Sequence, residues 1–269
     1  MSAADIELVD VHKHYRKGRI DIPALDGLSL KIEPGSFVAI MGPSGSGKST
    51  LLHLVGGLDS VTAGSVRVGD ARLETMSERQ LTAWRSRHVG FIFQMYDLVP
   101  VLTAAQNVEL PLLLFRMPAR ERRQRVETAL KIVGLSDRMD HRPSQLSGGQ
   151  EQRVAIARAI VTDPDVLLAD EPTGDLDAKT SEEILGLLDL LHSDFGKTIV
   201  MVTHDPRAAS HGQRSLHLDK GVLDRDEVTS LGRGGERKGE KVIRWTPRHA
   251  ECGWGRITLS PFHLITFDG

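Results

Sequence analysis

A single cysteine, Cys252, stands in the 269 residues, so no internal disulfide can form and the chain suits a reducing compartment. Long apolar runs are missing too, and none approaches the roughly 18 consecutive residues that a bilayer-spanning helix needs. The first seven residues carry neither a basic region nor an apolar segment, so no signal peptide is expected there. An excess of either charge is absent, with 34 Lys and Arg against 36 Asp and Glu and a net charge of -2. Nothing in that balance favours wholesale binding to nucleic acid or anionic lipid. Any work at a membrane is therefore expected to be done through a partner. The length is enough for a sizeable core, in one large domain or a domain with a subdomain.

What is present centres on Gly42, Pro43, Ser44, Gly45, Ser46, Gly47, Lys48, Ser49 and Thr50, which satisfy the phosphate-binding pattern G-x-x-x-x-G-K-[ST]. An apolar run at 37–41 precedes them and a helix-compatible run at 50–55 follows, which is the strand–loop–helix context the pattern needs. Glycines let several backbone N–H groups converge on one anion, and the helix N-terminus adds partial positive charge. In that geometry Lys48 reaches the β- and γ-phosphates and Ser49 ligates Mg²⁺.

Along the chain, 6–11 and 28–32 alternate as half-exposed antiparallel strands. Tyr15 lies between them, either as a packing residue or as a ring that stacks on a purine. A short strand within 62–70 and a helix at 77–84 capped by Ser77 follow. An apolar strand at 88–94 ends in Gln94, either a loop residue or a contact to metal-bound water. From 95 to 142 the texture is that of a helical subdomain inserted in an α/β core. Its charged helix at 118–133 has Val126, Leu130 and Val133 as a buried stripe, with Arg120, Arg122, Arg123 and Arg125 expected on a solvated face.

The subdomain closes with Leu146, Ser147, Gly148, Gly149 and Gln150, followed by a helix at 154–160. A serine cap and two glycines before a helix make a second anion-binding geometry. Two such sites in one chain suggest either two nucleotides or one nucleotide shared between two chains. A buried strand at 166–171 ends in Asp170 and Glu171, the first suited to a metal and the second to orienting or deprotonating water. A helix at 181–193 leads to a strand at 198–202 and then His204. Three buried strands thus end in chemistry, and open α/β sheets bind ligands beyond the carboxyl ends of their strands.

In their order and spacing these residues resemble the ATP-binding cassette (ABC) ATPases, with LSGGQ separating them from other phosphate-loop proteins. The resemblance runs from residue 6 to 223 and implies an α/β fold. It comprises a P-loop NTPase core with a mainly parallel sheet and flanking helices, an N-terminal antiparallel β subdomain and an inserted α-helical subdomain at 95–162. The nucleotide-binding domain is expected over 1–224. Stretches 51–59, 90–94 and 102–111 are similar to the nucleotide-binding subunits of the lipoprotein-release and macrolide-export type of permease.

Residue by residue, the resemblance implies that Tyr15 stacks on adenine and that Lys48 and the loop amides hold the phosphates of ATP. Ser49 and Asp170 serve Mg²⁺ together with Gln94, which senses the γ-phosphate site. Glu171 is the general base or water-orienting carboxylate, and His204 contacts the γ-phosphate. Ser147, Gly148, Gly149 and Gln150 contact the ATP of the other subunit in a head-to-tail homodimer, and Asp177 lies across that interface. The turn reads Gly174-Asp175-Leu176-Asp177 rather than the commoner Ser-Ala-Leu-Asp and keeps its last Asp. The implied activity is ATP hydrolysis that powers an integral-membrane permease from the cytoplasmic face of the inner membrane, with no direct nucleic-acid contact. One alternative is a non-transport partner of a permease-like protein in envelope signalling. Another is a soluble ABC protein acting on nucleic acid or ribosomes, whose tandem cassettes and coiled-coil insertions this sequence lacks. Cargo contacts belong to the permease, so drug export, lipoprotein release and lipid movement all stay open. In the tail, 225–269, the stretch 231–241 has the glycine-rich charged composition of disorder, and Trp245, Trp254 and Phe262 follow with no period.

Overall fold

Two periodicities become two sheets in the computed structural model, which describes residues 3–18 and 20–228. The alternating N-terminal segments pair as an antiparallel hairpin of β1 (Ile6–Lys17) and β2 (Ile20–Ile32). β3 (Phe37–Met41), the glycine-rich loop and α1 (Lys48–Val55) follow. β4 (Ala63–Val68) and β5 (Ala71–Arg72) complete a four-stranded antiparallel sheet in the order β2-β1-β4-β5. α2 (Glu78–His88) leads into β6 (Val89–Phe93). The helical subdomain contains α3 (Ala104–Glu109), α4 (Ala119–Ile132) and α5 (Gly148–Ile160). β7 (Val166–Asp170), α6 (Ala178–Ser193), β8 (Thr198–Val202) and α7 (Pro206–Ala209) come next. β9 (Arg214–Asp219) and β10 (Val222–Val228) end the described chain.

The second sheet has the order β10-β9-β3-β8-β7-β6 and is parallel except for its edge strand β10. Its inner strands are buried on both faces, so the two-residue period sends alternate side chains into two cores. Phe37, Ala39, Leu167, Ala169, Ile199 and Met201 pack with the helical side, including Leu130, Ile156 and Leu188. Val38, Ile40, Leu168, Val200 and Val202 face α1 and the antiparallel sheet, with Leu8, Leu28, Leu51 and Val66. Register pairs Ile40 and Asp170 with Val202, and Phe93 with Asp170. The residues that follow these strands therefore leave the sheet along one edge.

Element boundaries depart from the sequence expectation where local patterning carries no signal. β2 begins at Ile20 rather than 28; its first four residues are all exposed, so their short alternation of Ile20 and Ile22 around Asp21 marks no buried face. Cross-strand pairs such as Tyr15 with Ile22 and Arg16 with Asp21 carry that outer half. α2 continues to His88 instead of 84, where His88 stacks on Trp84 and its Nδ1 lies 2.6 Å from Asp165. α5 starts at Gly148, not 154, since the Ser147 hydroxyl accepts from the Gln150 N–H while Gln150 Oε1 accepts from the Ser147 N–H. Asp177 accepts from the N–H groups of Lys179 and Thr180, which starts α6 at Ala178 rather than 181.

The α4 stripe of Val126, Leu130 and Val133 is buried as expected. Of its arginines, Arg120 and Arg123 are exposed as expected, whereas Arg122 and Arg125 are half-buried. Arg122 pairs with Glu109, and Arg123 and Arg125 form i,i+4 pairs with Glu127 and Glu121. β10 passes the expected domain end at 224 and runs to Val228, secured by Arg214 donating to both carboxylate oxygens of Asp226 at 2.7 and 2.6 Å. The expectations for 231–241 and for Trp245, Trp254 and Phe262 lie outside the described residues.

Candidate nucleotide-binding site

The chain leaves β3 through a turn that tolerates no side chain at either end of its glycine-rich run. Gly42 has φ +146°, and a Cβ there would lie 2.1 Å from the Leu218 carbonyl oxygen. Gly47, at φ +98°, would put a Cβ 2.4 Å from the Ala24 carbonyl oxygen. The loop is thus wedged between β9 and β2, and glycine at both positions is a steric requirement. α1 begins with no side-chain cap and no acidic residue in its first turn, so its N-terminal N–H groups keep their partial positive charge.

Two polar groups inside the loop are short of partners. Ser46 Oγ is buried with no hydrogen-bond partner. Lys48, only 8% exposed, donates its Nζ to the Pro43 carbonyl at 2.8 Å. A buried ammonium and an orphan hydroxyl are costly unless something meets them, and phosphate oxygens in the loop would meet both.

Ser49 Oγ donates to Asp170 Oδ1 at 3.4 Å. Among the described residues no three His, Cys, Asp or Glu side chains gather into a metal site. The Ser49–Asp170 pair instead offers hard oxygen donors, which suits an ion that keeps waters and takes phosphate oxygens. Burial pushes the Asp170 carboxyl above the ordinary carboxylate range, partly offset by the Ser49 hydrogen bond and the positive charges of His53 and Lys48.

That shift has a stability consequence with a definite sign. A raised folded pKa means the cost of ionising Asp170 is absent below the ordinary value of 3.8 and grows as pH rises through the folded value. Asp170→Asn is expected to melt higher than wild type without nucleotide at neutral pH, and the gain should shrink toward about pH 4. A variant that melts lower at neutral pH contradicts this account.

Glu171 follows directly, and its backbone enters the left-handed region at φ +47°. Its N–H bonds the Val202 carbonyl at 2.9 Å, and its carboxylate meets His204 Nδ1 at 3.1 Å. A strained non-glycine residue at a strand end, fixed by a backbone bond, is the kind of outlier that marks functional sites. The loop, Glu171 and His204 line one open cleft of about 470 Å³, with Tyr15, Ile22, Pro23 and Ala24 from the hairpin on its other wall. The Tyr15 hydroxyl donates to Asp59 Oδ2 at 2.8 Å, and Lys13 Nζ lies 4.9 Å from the ring centroid. Burial is the largest cause raising its phenol pKa.

The structure therefore brings Tyr15, the loop, Glu171 and His204 to one cleft, with Asp170 hydrogen-bonded to Ser49 of the loop. The other expected residues stand apart from that lining. Gln94 donates its Nε2 to Asp175 Oδ1 at 3.2 Å. Ser147, Gly148, Gly149 and Gln150 form the first turn of α5, against the start of α6. A Cβ on Gly149 would lie 2.3 Å from Thr180 Cγ2, and Thr180 bonds the capping Asp177. LSGGQ and Asp177 thus share a second surface. Sequence reasoning missed Asp59 and Lys13 beneath Tyr15, because their relation to it is purely tertiary.

A phosphate loop at the carboxyl edge of a parallel sheet, with an acidic pair ending a neighbouring buried strand, defines a P-loop nucleoside triphosphatase. Residues 25–174 match the ABC transporter family. The chain is 50% identical over 219 residues to an ABC transporter ATP-binding protein of Thermotoga maritima, covering 81% of this chain and 93% of that one. It is 44% identical over 256 residues to the macrolide export ATP-binding/permease protein MacB of Rhodopseudomonas palustris, covering 95% of this chain and 39% of that one. Among solved structures, the dimeric post-hydrolysis state of the ATP-binding cassette MJ0796 of Methanocaldococcus jannaschii, bound to ADP and Pi, aligns with a TM-score of 0.77. That alignment is 46% identical and covers 83% of this chain and 98% of that chain. The chain belongs to the ABC transporter family, as one of its ATP-binding, ATP-hydrolysing cassettes. It spans well under half of the MacB relative, and among the described residues no helix is long and apolar enough to cross a membrane.

Proposed function

We propose that two copies of this chain close head to tail around two ATP molecules and drive a membrane permease of the export or lipoprotein- and lipid-extracting type. One observation carries the reading: ATP chemistry is divided between two surfaces. The cleft holds the phosphate loop, Glu171 and His204, whereas Ser147, Gly148, Gly149 and Gln150 lie outside it beside Asp177. A second copy turned head to tail would place the N–H groups of its α5 first turn on the γ-phosphate. The dimeric MJ0796 structure supports that arrangement.

Within the closed site Tyr15 stacks on adenine, and Lys48 with the loop amides holds the phosphates. Ser49 and Asp170 would hold Mg²⁺, whose chemistry is to neutralise charge on the transferred phosphoryl group. Gln94, at the end of β6, would join them in holding the ion and in sensing the γ-phosphate once it leaves Asp175. Glu171 orients and deprotonates the attacking water, and His204 contacts the γ-phosphate.

The permease assignment draws on the helical side. Met95, Val101 and Leu114 are each more than 70% exposed, which leaves apolar side chains uncovered for a partner on this side. Leu114 and Phe115 also border a groove with Arg79, Thr82 and Ser86 of α2. The MacB relative, by its name, joins an ATP-binding part to a permease. A cassette engaged there would sit on the cytoplasmic face of the inner membrane.

Tagged Glu171→Gln protein, drawn from detergent-solubilised native membranes in Mg-ATP, tests the assignment. Co-purification of an integral-membrane permease is the expected result. Recovery of ribosomes, or of no membrane protein, contradicts it. Substrate flux in vesicles reconstituted with that permease then separates transport from signalling.

A further inference from the structure

The segment that carries Gln94 is gripped on both sides by one helix. Immediately before it, the Phe93 carbonyl accepts from Gln152 Nε2 at 3.4 Å. The same amide donates to the Pro172 carbonyl at 2.7 Å, one residue beyond Glu171. Just after it, Tyr96 and Asp97 stand consecutively in the left-handed region, at φ +55° and +49°. Both of their carbonyls accept from Arg158, with Nη2 2.7 Å from Tyr96 O and Nη1 on Asp97 O. The Tyr96 phenol lies along the first turn of the same helix, where a Cβ on Gly148 would be 3.0 Å from its hydroxyl oxygen. Gln152, Arg158 and Gly148 all belong to α5.

These contacts are costly ones. Two adjacent non-glycine residues in the left-handed region persist only where their surroundings fix them. Burial draws the Arg158 pKa down, and a guanidinium taken from water needs hydrogen bonds to compensate, which the two carbonyls provide. Gln152 is fully buried and leaves its own Oε1 without a partner while its amide serves both carbonyls.

We propose that Arg158, assisted by Gln152, is a positioning residue for Gln94, fixing from α5 the backbone on both sides of it. This rests on the reading of Gln94 as part of the γ-phosphate site. Steady-state ATP titrations of the full chain test it with Arg158→Gln, Gln94→Ala and the double variant, each checked for folding by melting. Arg158→Gln is expected to lower kcat about tenfold and leave the KM for ATP within about twofold. In the Gln94→Ala background the same change should lower kcat by less than about twofold, since the group it positions is gone. Arg158→Lys keeps the charge but not the fork, and should recover only part of the loss.

An equal loss from Arg158→Gln in both backgrounds overturns the proposal and leaves the reading of Gln94 standing. Unchanged kcat in Arg158→Gln does the same. Full turnover in Gln94→Ala removes that reading, and the proposal with it. If Arg158→Gln does not fold, Gln152→Leu decides: it takes the shared donor from the Phe93 and Pro172 carbonyls, so a lower melting temperature is expected, and in the folded protein kcat should fall with the KM for ATP within about twofold. Wild-type kcat in Gln152→Leu overturns the proposal.

Discussion

Glu171→Gln is expected to lower kcat at least about a hundredfold while ATP binding persists, because the amide keeps the shape of the carboxylate and loses its basicity. The local structure argues for so large an effect. The carboxylate owes its place to a backbone that turns into the left-handed region at φ +47° just as β7 ends. That turn is secured from β8 by the Val202 carbonyl, so it survives the substitution. His204, 3.1 Å from the carboxylate, can also bond an amide. Position is thus conserved and proton acceptance is not. Measured turnover beside nucleotide affinity separates the two, and a variant with more than a tenth of wild-type kcat would remove Glu171 from the proposed role.

Lys48→Ala should act on the other parameter. Charge-assisted bonds from a buried ammonium to phosphate oxygens are strong, and their loss is expected to raise the Kd for ATP about a hundredfold, or about 2.7 kcal/mol. Folding should not suffer. Lys48 is only 8% exposed, and shedding its buried charge offsets the loss of its bond to the Pro43 carbonyl and of its modest attraction to Asp170. The nucleotide-free variant is expected to melt no lower than wild type. A calorimetric Kd within threefold of wild type would mean that the phosphates are held elsewhere.

Both residues are legible in the sequence because their signals are local. Gly42 and Gly47 stand where an added Cβ would run into the Leu218 or Ala24 carbonyl oxygen, and Lys48 and Ser49 follow at fixed offsets. Likewise Asp170, Glu171 and His204 end strands whose unbroken apolar runs announce burial on both faces. Ser147 is legible as a cap, yet the full start of α5 is not, since glycines in a first turn go against propensity until the Ser147–Gln150 capping box is seen.

Tertiary relations lie beyond local patterning. Asp59, which anchors Tyr15, lies 44 residues away, and Arg158 reaches Tyr96 across 62. The outer half of β2 is exposed on both faces and held by pairing with β1, so its short run of alternating Ile20 and Ile22, cut off by Pro23, points to no core. Gln94 illustrates the limit best. Its place at a strand end is readable, but its bond to Asp175, 81 residues on, joins it to the turn that follows Glu171 rather than to the cleft.

The central claim, a site completed only when two copies meet, is tested most directly by the solution mass of Glu171→Gln with and without ATP. Light scattering on the eluting protein should report one chain of 29.6 kDa without nucleotide and twice that mass with it. A single-chain mass in saturating ATP, with binding shown in the same sample, would contradict the shared site.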